Sequence, residues 1–110
     1  MADYRDSLQE FIEQIQRSSV YTEYMRQRDR LREFPDLKKQ VDEYRQKNFI
    51  LQTQTYPEQL FDEIDRFQKE YETFRENTVV HDFLAAELAL CRMMQNINYE
   101  LVKAISIDFE

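Results

Sequence analysis

The most informative absence in this sequence is glycine, which occurs at none of its 110 positions. An average composition would give roughly eight glycines, at about 7%. Glycine-rich phosphate loops and dinucleotide-binding fingerprints need backbone positions that only glycine fills, so both kinds of site are excluded. Tight hairpin turns also favour glycine, which argues against a β-rich fold. With only two prolines, the composition favours an all-α protein.

Cysteine and histidine are also scarce, since Cys91 and His81 are the only ones. A zinc site built from these residue types needs more ligands than one chain supplies. A di-iron helical bundle needs two Glu-x-x-His motifs, and residue 78 is Thr. We therefore expect no cofactor and no metal, and we assign no catalytic residue. His81 is interpreted as a surface or packing residue, and Cys91 as a small core residue in a reducing compartment.

No hydrophobic run is long enough to cross a membrane. The longest extends from Phe83 to Met94 and is interrupted by Glu87 and Arg92. As a helix it would rise about 18 Å, against roughly 30 Å of hydrocarbon. The first residues contain acidic side chains and resemble no signal peptide. The net charge of −7 makes nucleic-acid binding unfavourable overall. These features predict a cytoplasmic protein without membrane contacts.

What the sequence does contain is apolar residues at helical spacing, 42% of the chain, with eight Phe and seven Tyr. We predict a single helical domain over residues 1–110, with helices over about 3–17, 19–33, 35–54, 56–76 and 78–106. Capping and proline signals separate these helices. They are Ser18 or Ser19, Pro35, Thr55 with Glu58 in a capping box, and Asn77 or Thr78.

The third and fourth helices carry apolar residues at alternating steps of three and four, which is typical of heptad pairing. In the third helix these are Phe34, Leu37, Val41, Tyr44 and Leu51, and in the fourth Leu60, Ile64, Phe67, Tyr71 and Phe74. The spacing predicts a long antiparallel hairpin of about 30 Å. Asn48 occupies the remaining heptad position. It is either a buried polar residue that sets the register or, if the helix has rotated, an exposed one.

The last predicted helix is apolar on adjacent lines of its surface rather than on one face. It is therefore either the centre of a bundle or partly covered by another chain. We predict a homo-oligomer, most simply a symmetric dimer, because soluble monomers rarely leave so large an apolar surface bare. The predicted interface residues are Phe83, Leu90, Met94, Ile97 and Leu101.

Glu87 lies on an apolar line of this helix, between Leu84 and Cys91. We predict a buried structural carboxylate paired with Arg28 or Arg92. The alternative is a catalytic acid with a perturbed pKa.

A cluster of basic residues forms the second candidate surface: Arg26, Arg28, Arg30, Arg32, Lys38 and Lys39. On a helix, the first and third of these share one face, and the second and fourth another. The cluster is either a solvated face neutralised by interleaved acidic residues, or a surface for an acidic partner or RNA phosphates.

Residues 77–98, NTVVHDFLAAELALCRMMQNIN, together with the helix order and the Phe34-Pro35-Asp36 break, resemble the YlbF/YmcA family of bacterial regulators. In that family the last helix typically contains Ala-Glu followed by spaced Leu residues and Ile-Asn. This sequence matches those places with Ala86-Glu87, Leu90, Met94 and Ile97-Asn98.

The resemblance implies a small all-α cytoplasmic protein that self-associates and acts through protein contacts. Relatives are associated with competence, sporulation, biofilm control and RNA processing by ribonuclease Y. Some carry clustered Cys residues linked to iron–sulfur clusters, whereas Cys91 stands alone here. We predict a non-enzymatic regulatory or adaptor protein that binds itself and a further protein, such as a member of an RNA-processing complex. The alternatives are an RNA-binding module using the Arg26–Lys39 cluster and a carboxylate enzyme using Glu87.

The cysteine and histidine content gives a first testable prediction. Protein purified anaerobically should be colourless and contain no stoichiometric iron or zinc by elemental analysis. Visible absorption typical of an iron–sulfur cluster would contradict this and would indicate a cluster shared between chains.

Overall fold

The computed structural model describes residues 3–54 and 56–105, and all of the regular secondary structure within them is helical. The predicted all-α fold is confirmed. Six helices follow one another: α1 (Tyr4–Gln16), α2 (Ser19–Arg32), α3 (Pro35–Gln54), α4 (Pro57–Glu70), α5 (Glu72–Glu76) and α6 (Thr78–Ile105).

Polar side chains cap α1, α2 and α6, and the sequence predicts the caps of the last two. The Ser18 hydroxyl oxygen accepts a hydrogen bond from the backbone N–H of Tyr21 at 3.2 Å and so begins α2. Asn77 begins α6, because its Oδ1 accepts from the N–H groups of Val79 at 2.9 Å and Val80 at 3.3 Å. The predicted cap Thr55 lies outside the described residues, and α4 begins with Pro57 at its first turn.

The main difference from the predicted elements is a break at Tyr71. The sequence predicts one helix over 56–76, but Tyr71 has φ −104° and ψ 14°, which separates α4 from α5. The Arg75 guanidinium donates to the backbone carbonyl of Gln68 at 2.7 Å and also to its side-chain carbonyl. An unbroken helix bonds that backbone carbonyl to the N–H four residues on. Arg75 lies one turn after the break and stabilises it by donating to this backbone carbonyl.

A small apolar core joins α2, α3 and α6. Leu31, Val41, Val80 and Phe83 form it, and both valines are fully buried. Helices α2 and α6 make the most extensive helix–helix contact. The ring of Tyr24 lies 5.9 Å from that of Phe83 and extends this core along α2.

Aromatic rings hold α3 against the end of α4. Tyr44 stacks on Phe67 with ring centroids 5.1 Å apart, and Tyr71 and Phe74 pack around the same ring. Aromatic pairs of this kind add about 0.5–1.5 kcal/mol beyond the area that they bury. These contacts come from the predicted heptad positions of the two helices.

Asn48 fits neither of the two positions considered for it, and its assignment as a buried polar residue is wrong. Its side chain is half-buried, and its Oδ1 accepts a hydrogen bond from the Gln52 side chain at 3.2 Å. Because a residue one turn along the same helix binds the amide oxygen, this oxygen needs no partner on α4.

The arrangement of helices is flat, with extents of 56, 42 and 16 Å. Its radius of gyration is 18.1 Å, whereas a compact domain of this length would have about 13 Å. The accessible surface is 9059 Å², and a compact monomer of this mass would expose about 6,600 Å². The chain alone therefore leaves an unusually large surface uncovered.

The Asn77 cap provides a test of this architecture. Asn77→Ala should lower the free energy of unfolding by about 1 kcal/mol, because the first N–H groups of α6 lose their acceptor. Denaturant unfolding at fixed protein concentration measures the change. The control is Asn96→Ala, at an exposed position inside α6, where alanine should be neutral or slightly stabilising. Equal losses in both variants would contradict the capping role.

Candidate functional site

The basic cluster divides into two sides of α2, as its helical spacing predicts. On one side, Arg26 pairs with Glu23 at 2.8 Å, and Gln27 donates to the same carboxylate. Arg30 bonds Gln27 at 3.3 Å and Asp82 of α6 at 2.8 Å. These contacts form a continuous polar network along the junction of α2 and α6. The two arginines on this side are therefore committed to contacts within the chain.

Hydrogen bonds in this network lower the pKa of two carboxyl groups, Asp82 and Glu23. Hydrogen bonds from Arg30 and His81 hold the pKa of Asp82 below its ordinary value, and those from Arg26 and Gln27 do the same for Glu23. Both carboxylates are ionised at neutral pH and complement the cations beside them.

The other side of α2 borders a cavity of about 140 Å³ between α2, α3 and α6. We call it the cationic cavity, because four basic side chains line it: Arg28, Arg32, Lys38 and Arg45. The sequence cluster contains the first three of these. The sequence cluster does not include Arg45. This residue lies one turn after the core residue Val41 and therefore on the same face of α3. Lys39 is exposed and does not line the cavity.

Glu87 pairs with Arg45 and not with either of the predicted partners, Arg28 and Arg92. The Arg45 Nη2 lies 2.8 Å from the Glu87 Oε2, which is buried but not aligned for a hydrogen bond. Burial raises the pKa of Glu87 above its ordinary value of 4.5, and the nearby Arg45 charge offsets only part of this. The Glu87 side chain is 20% exposed, so it is partly rather than fully buried.

The predicted interface residues on α6 do not share one environment. Phe83 is 3% exposed and packs in the core, so its assignment to an interface between chains is wrong. Leu90 and Ile97 are half-buried, and Met94 and Leu101 are exposed. These four recur at steps of four, three and four from the middle of α6 towards its C-terminal end. They lie beyond Ala86, the last buried residue of the helix.

Further apolar surface lies on helices that the sequence prediction left out of any interface. Leu8, Phe11 and Ile12 of α1 are exposed, and no described residue of this helix is buried. Phe49 of α3 and Phe61 of α4 are also exposed. Their heptad positions place them outside the paired face of the hairpin, which is a signal that the sequence already contains.

Cys91 and His81 both lie at the surface. Cys91 is exposed, so its interpretation as a core residue is wrong. The ring nitrogen Nδ1 of His81 lies 3.3 Å from Asp82 Oδ1 at the surface. Within residues 3–54 and 56–105, no three His, Cys, Asp or Glu side chains converge to hold a metal ion. In the same part of the chain, none of the helices combines the length and the apolar character needed to cross a bilayer.

The fold and these surfaces define a class of protein: a flat all-α protein with apolar helix faces open to other molecules. The chain belongs to the YlbF/YmcA family, because residues 4–106 match the family described as "Control of competence regulator ComK, YlbF/YmcA". The resemblance noted in the sequence is thereby confirmed, and a role in regulation is consistent with it. No curated protein and no solved structure matches the chain.

Partial burial of Glu87 makes stability depend on pH in a defined direction. Because its pKa is raised in the folded protein, the folded state holds more protons than the unfolded state just above pH 4.5. This carboxyl group therefore favours folding at low pH and loses that contribution as pH rises through its folded pKa.

Glu87→Gln should remove that pH dependence. The stability of the wild type minus that of Glu87→Gln should decrease as pH rises above about 4.5. Denaturant unfolding of both proteins at matched concentration measures the difference. A difference that stays constant, or increases with pH, would contradict the raised pKa.

Proposed function

We propose that the protein is a non-enzymatic regulatory adaptor that acts by self-association and by contacts with a further protein. The simplest assembly is a symmetric homodimer formed through the second half of α6. Membership of the YlbF/YmcA family supports the regulatory part of this proposal. The regulated process is competence, biofilm formation, sporulation or RNA processing in the cytoplasm.

The observation that carries the proposal is the uncovered surface. The chain exposes about 2,500 Å² more than a compact monomer of its mass would. Stable protein interfaces bury about 1,200–2,000 Å² in total, and obligate ones more. The excess is therefore of the size that an assembly covers.

The lengths of α2 and α6 explain why part of this surface lies at one end of α6. Helix α6 has 28 residues and α2 has 14, so they extend about 42 and 21 Å. Even when fully aligned, α2 covers only half of α6. The remaining half carries Met94, Ile97 and Leu101 along one side, and Leu90 lies just before it on the same line. Covering this line with the same line of a second chain gives a closed two-fold contact.

The two other function classes have less support. An enzyme using Glu87 would need this carboxylate free for chemistry, but Arg45 lies 2.8 Å away. An RNA-binding module using the whole basic cluster would need a continuous basic face. Instead, Arg26 and Arg30 pair with carboxylates on one side of α2, while the remaining arginines lie on the other.

Met94→Lys and Leu101→Lys test the proposed interface. Both side chains are exposed in the single chain, so the substitutions should leave its helices intact. Burying an unpaired charge between chains costs about 3 kcal/mol, so the dissociation constant should rise at least about 100-fold. Sedimentation equilibrium measures the association, and circular dichroism checks the helix content.

The matched control is Gln95→Lys, because this exposed polar residue lies on the same helix. It should leave the assembly unchanged. A wild-type protein that sediments as a folded 13.6 kDa monomer at tens of micromolar would end the proposal. Equal effects of all three lysine substitutions would show that the interface does not lie on this side of α6.

A further inference from the structure

The cationic cavity concentrates positive charge in an otherwise acidic protein. Arg28 and Arg32 come from successive turns of α2, and Lys38 and Arg45 from α3. Asp42 is the one acidic residue among those that line it. The chain as a whole carries a net charge of −7. The surface that lines this cavity is therefore locally opposite in charge to the rest of the molecule.

Neutralisation of the four cations is uneven. Lys38 and Arg45 each have a carboxylate oxygen of their own within 2.9 Å. Arg28 and Arg32 instead share Asp29, at the longer distances of 3.4 and 3.8 Å. The Asp29 side chain is 64% exposed, so water screens its attraction. Two guanidinium groups therefore have less than one effective counter-charge.

One donor at this position lacks a partner altogether. The Nε of Arg28 is buried and makes no hydrogen bond within the described residues 3–54 and 56–105. Buried polar atoms are hydrogen-bonded in the great majority of cases, so the Arg28 guanidinium is incompletely satisfied within the chain. An arginine presents its N–H groups as a planar fork that matches two oxygens of a carboxylate or phosphate.

The size of the cavity limits what it can hold. A volume of about 140 Å³ has room for about five water molecules at roughly 30 Å³ each. A phosphate group, with five heavy atoms, fits this volume, and the rest of a larger ligand would extend outside it. The apolar core side chains Leu31 and Val41 form part of the lining, so the space ends against packed structure.

We propose that the cationic cavity binds a small oxyanion of the phosphate class, such as inorganic phosphate or a small phosphate monoester. The guanidinium groups of Arg28 and Arg32 bind its oxygens, and Lys38 and Arg45 add positive charge around it. A dianion matches the two incompletely neutralised arginines. A carboxylate, with a single charge, would leave one of them without a counter-charge. The bound anion also links α2 to α3, because its partners come from both helices. Its negative charge reduces the repulsion among the four basic side chains.

Titration of the intact protein with inorganic phosphate tests the proposal. Calorimetry at constant ionic strength should show saturable binding, and the unfolding temperature should rise with phosphate concentration. Arg28→Gln and Arg32→Gln should each weaken binding at least about tenfold, because each removes a charge-assisted hydrogen bond. Arg26→Gln is the matched control, since it removes the same charge from the same helix on the side away from the cavity. It should bind phosphate as the wild type does.

Circular dichroism of each variant separates loss of the site from loss of the fold. Phosphate binding that is no stronger than that of chloride, or that Arg26→Gln weakens as much as Arg28→Gln does, would overturn the proposal. Acetate that binds as well as phosphate would overturn its assignment to the phosphate class. Tight binding of a short single-stranded RNA through the same two arginines would replace it with a nucleic-acid site. Self-association, measured separately, is independent of all these outcomes.

Discussion

The packing of α2, α3 and α6 depends on one small apolar core. Leu31, Val41, Val80 and Phe83 meet where these three helices cross, and they include the only fully buried large side chains among the described residues. Burying a side chain of this size contributes about 1.5–3 kcal/mol. So few buried residues leave little margin against the conformational entropy of a chain of this length. In such a protein, stability and assembly are linked, because any partner that covers apolar surface also favours the folded state.

The polar contacts around this core follow from the position of α2. Residues on one side of α2 face the first half of α6, where Arg30 and Asp82 join the two helices across 52 positions of sequence. Residues on its other side face α3 and the cationic cavity. One helix with basic residues at every second position thus serves two purposes. Arg30 joins α2 to α6, and Arg28 and Arg32 border the cationic cavity.

Local features of the structure could be predicted well from the sequence. The caps at Ser18 and Asn77 and the proline at the start of α3 depend on neighbouring residues alone. The separation of the arginines onto two sides of α2 follows from helical geometry. The break at Tyr71 was not predictable from spacing, because it accompanies contacts of Arg75 with the preceding turn.

Tertiary placement caused the larger errors. Glu87 and Arg45 lie on different helices, and only tertiary packing brings them together. Phe83 and Leu90 look equivalent in the sequence, but the buried residues of α6 end at Ala86, so Phe83 is in the core and Leu90 is only half-buried. Cys91 also lies on the apolar pattern of α6, and for this reason the sequence predicts a core position for it. An apolar pattern predicts which residues need to be buried. It does not predict whether the same chain or another chain buries them.

The 16 Å thickness of the molecule has a consequence for the thermodynamics of unfolding. The heat-capacity change of unfolding reflects the apolar surface that becomes hydrated, and it is about 12–15 cal/mol/K per residue in compact domains. A layer this thin already hydrates much of that surface when folded. A single chain should therefore unfold with a heat-capacity change well below that range and with a shallow dependence on denaturant. Its stability curve is correspondingly flat, so cooling would weaken it less than it weakens a compact domain.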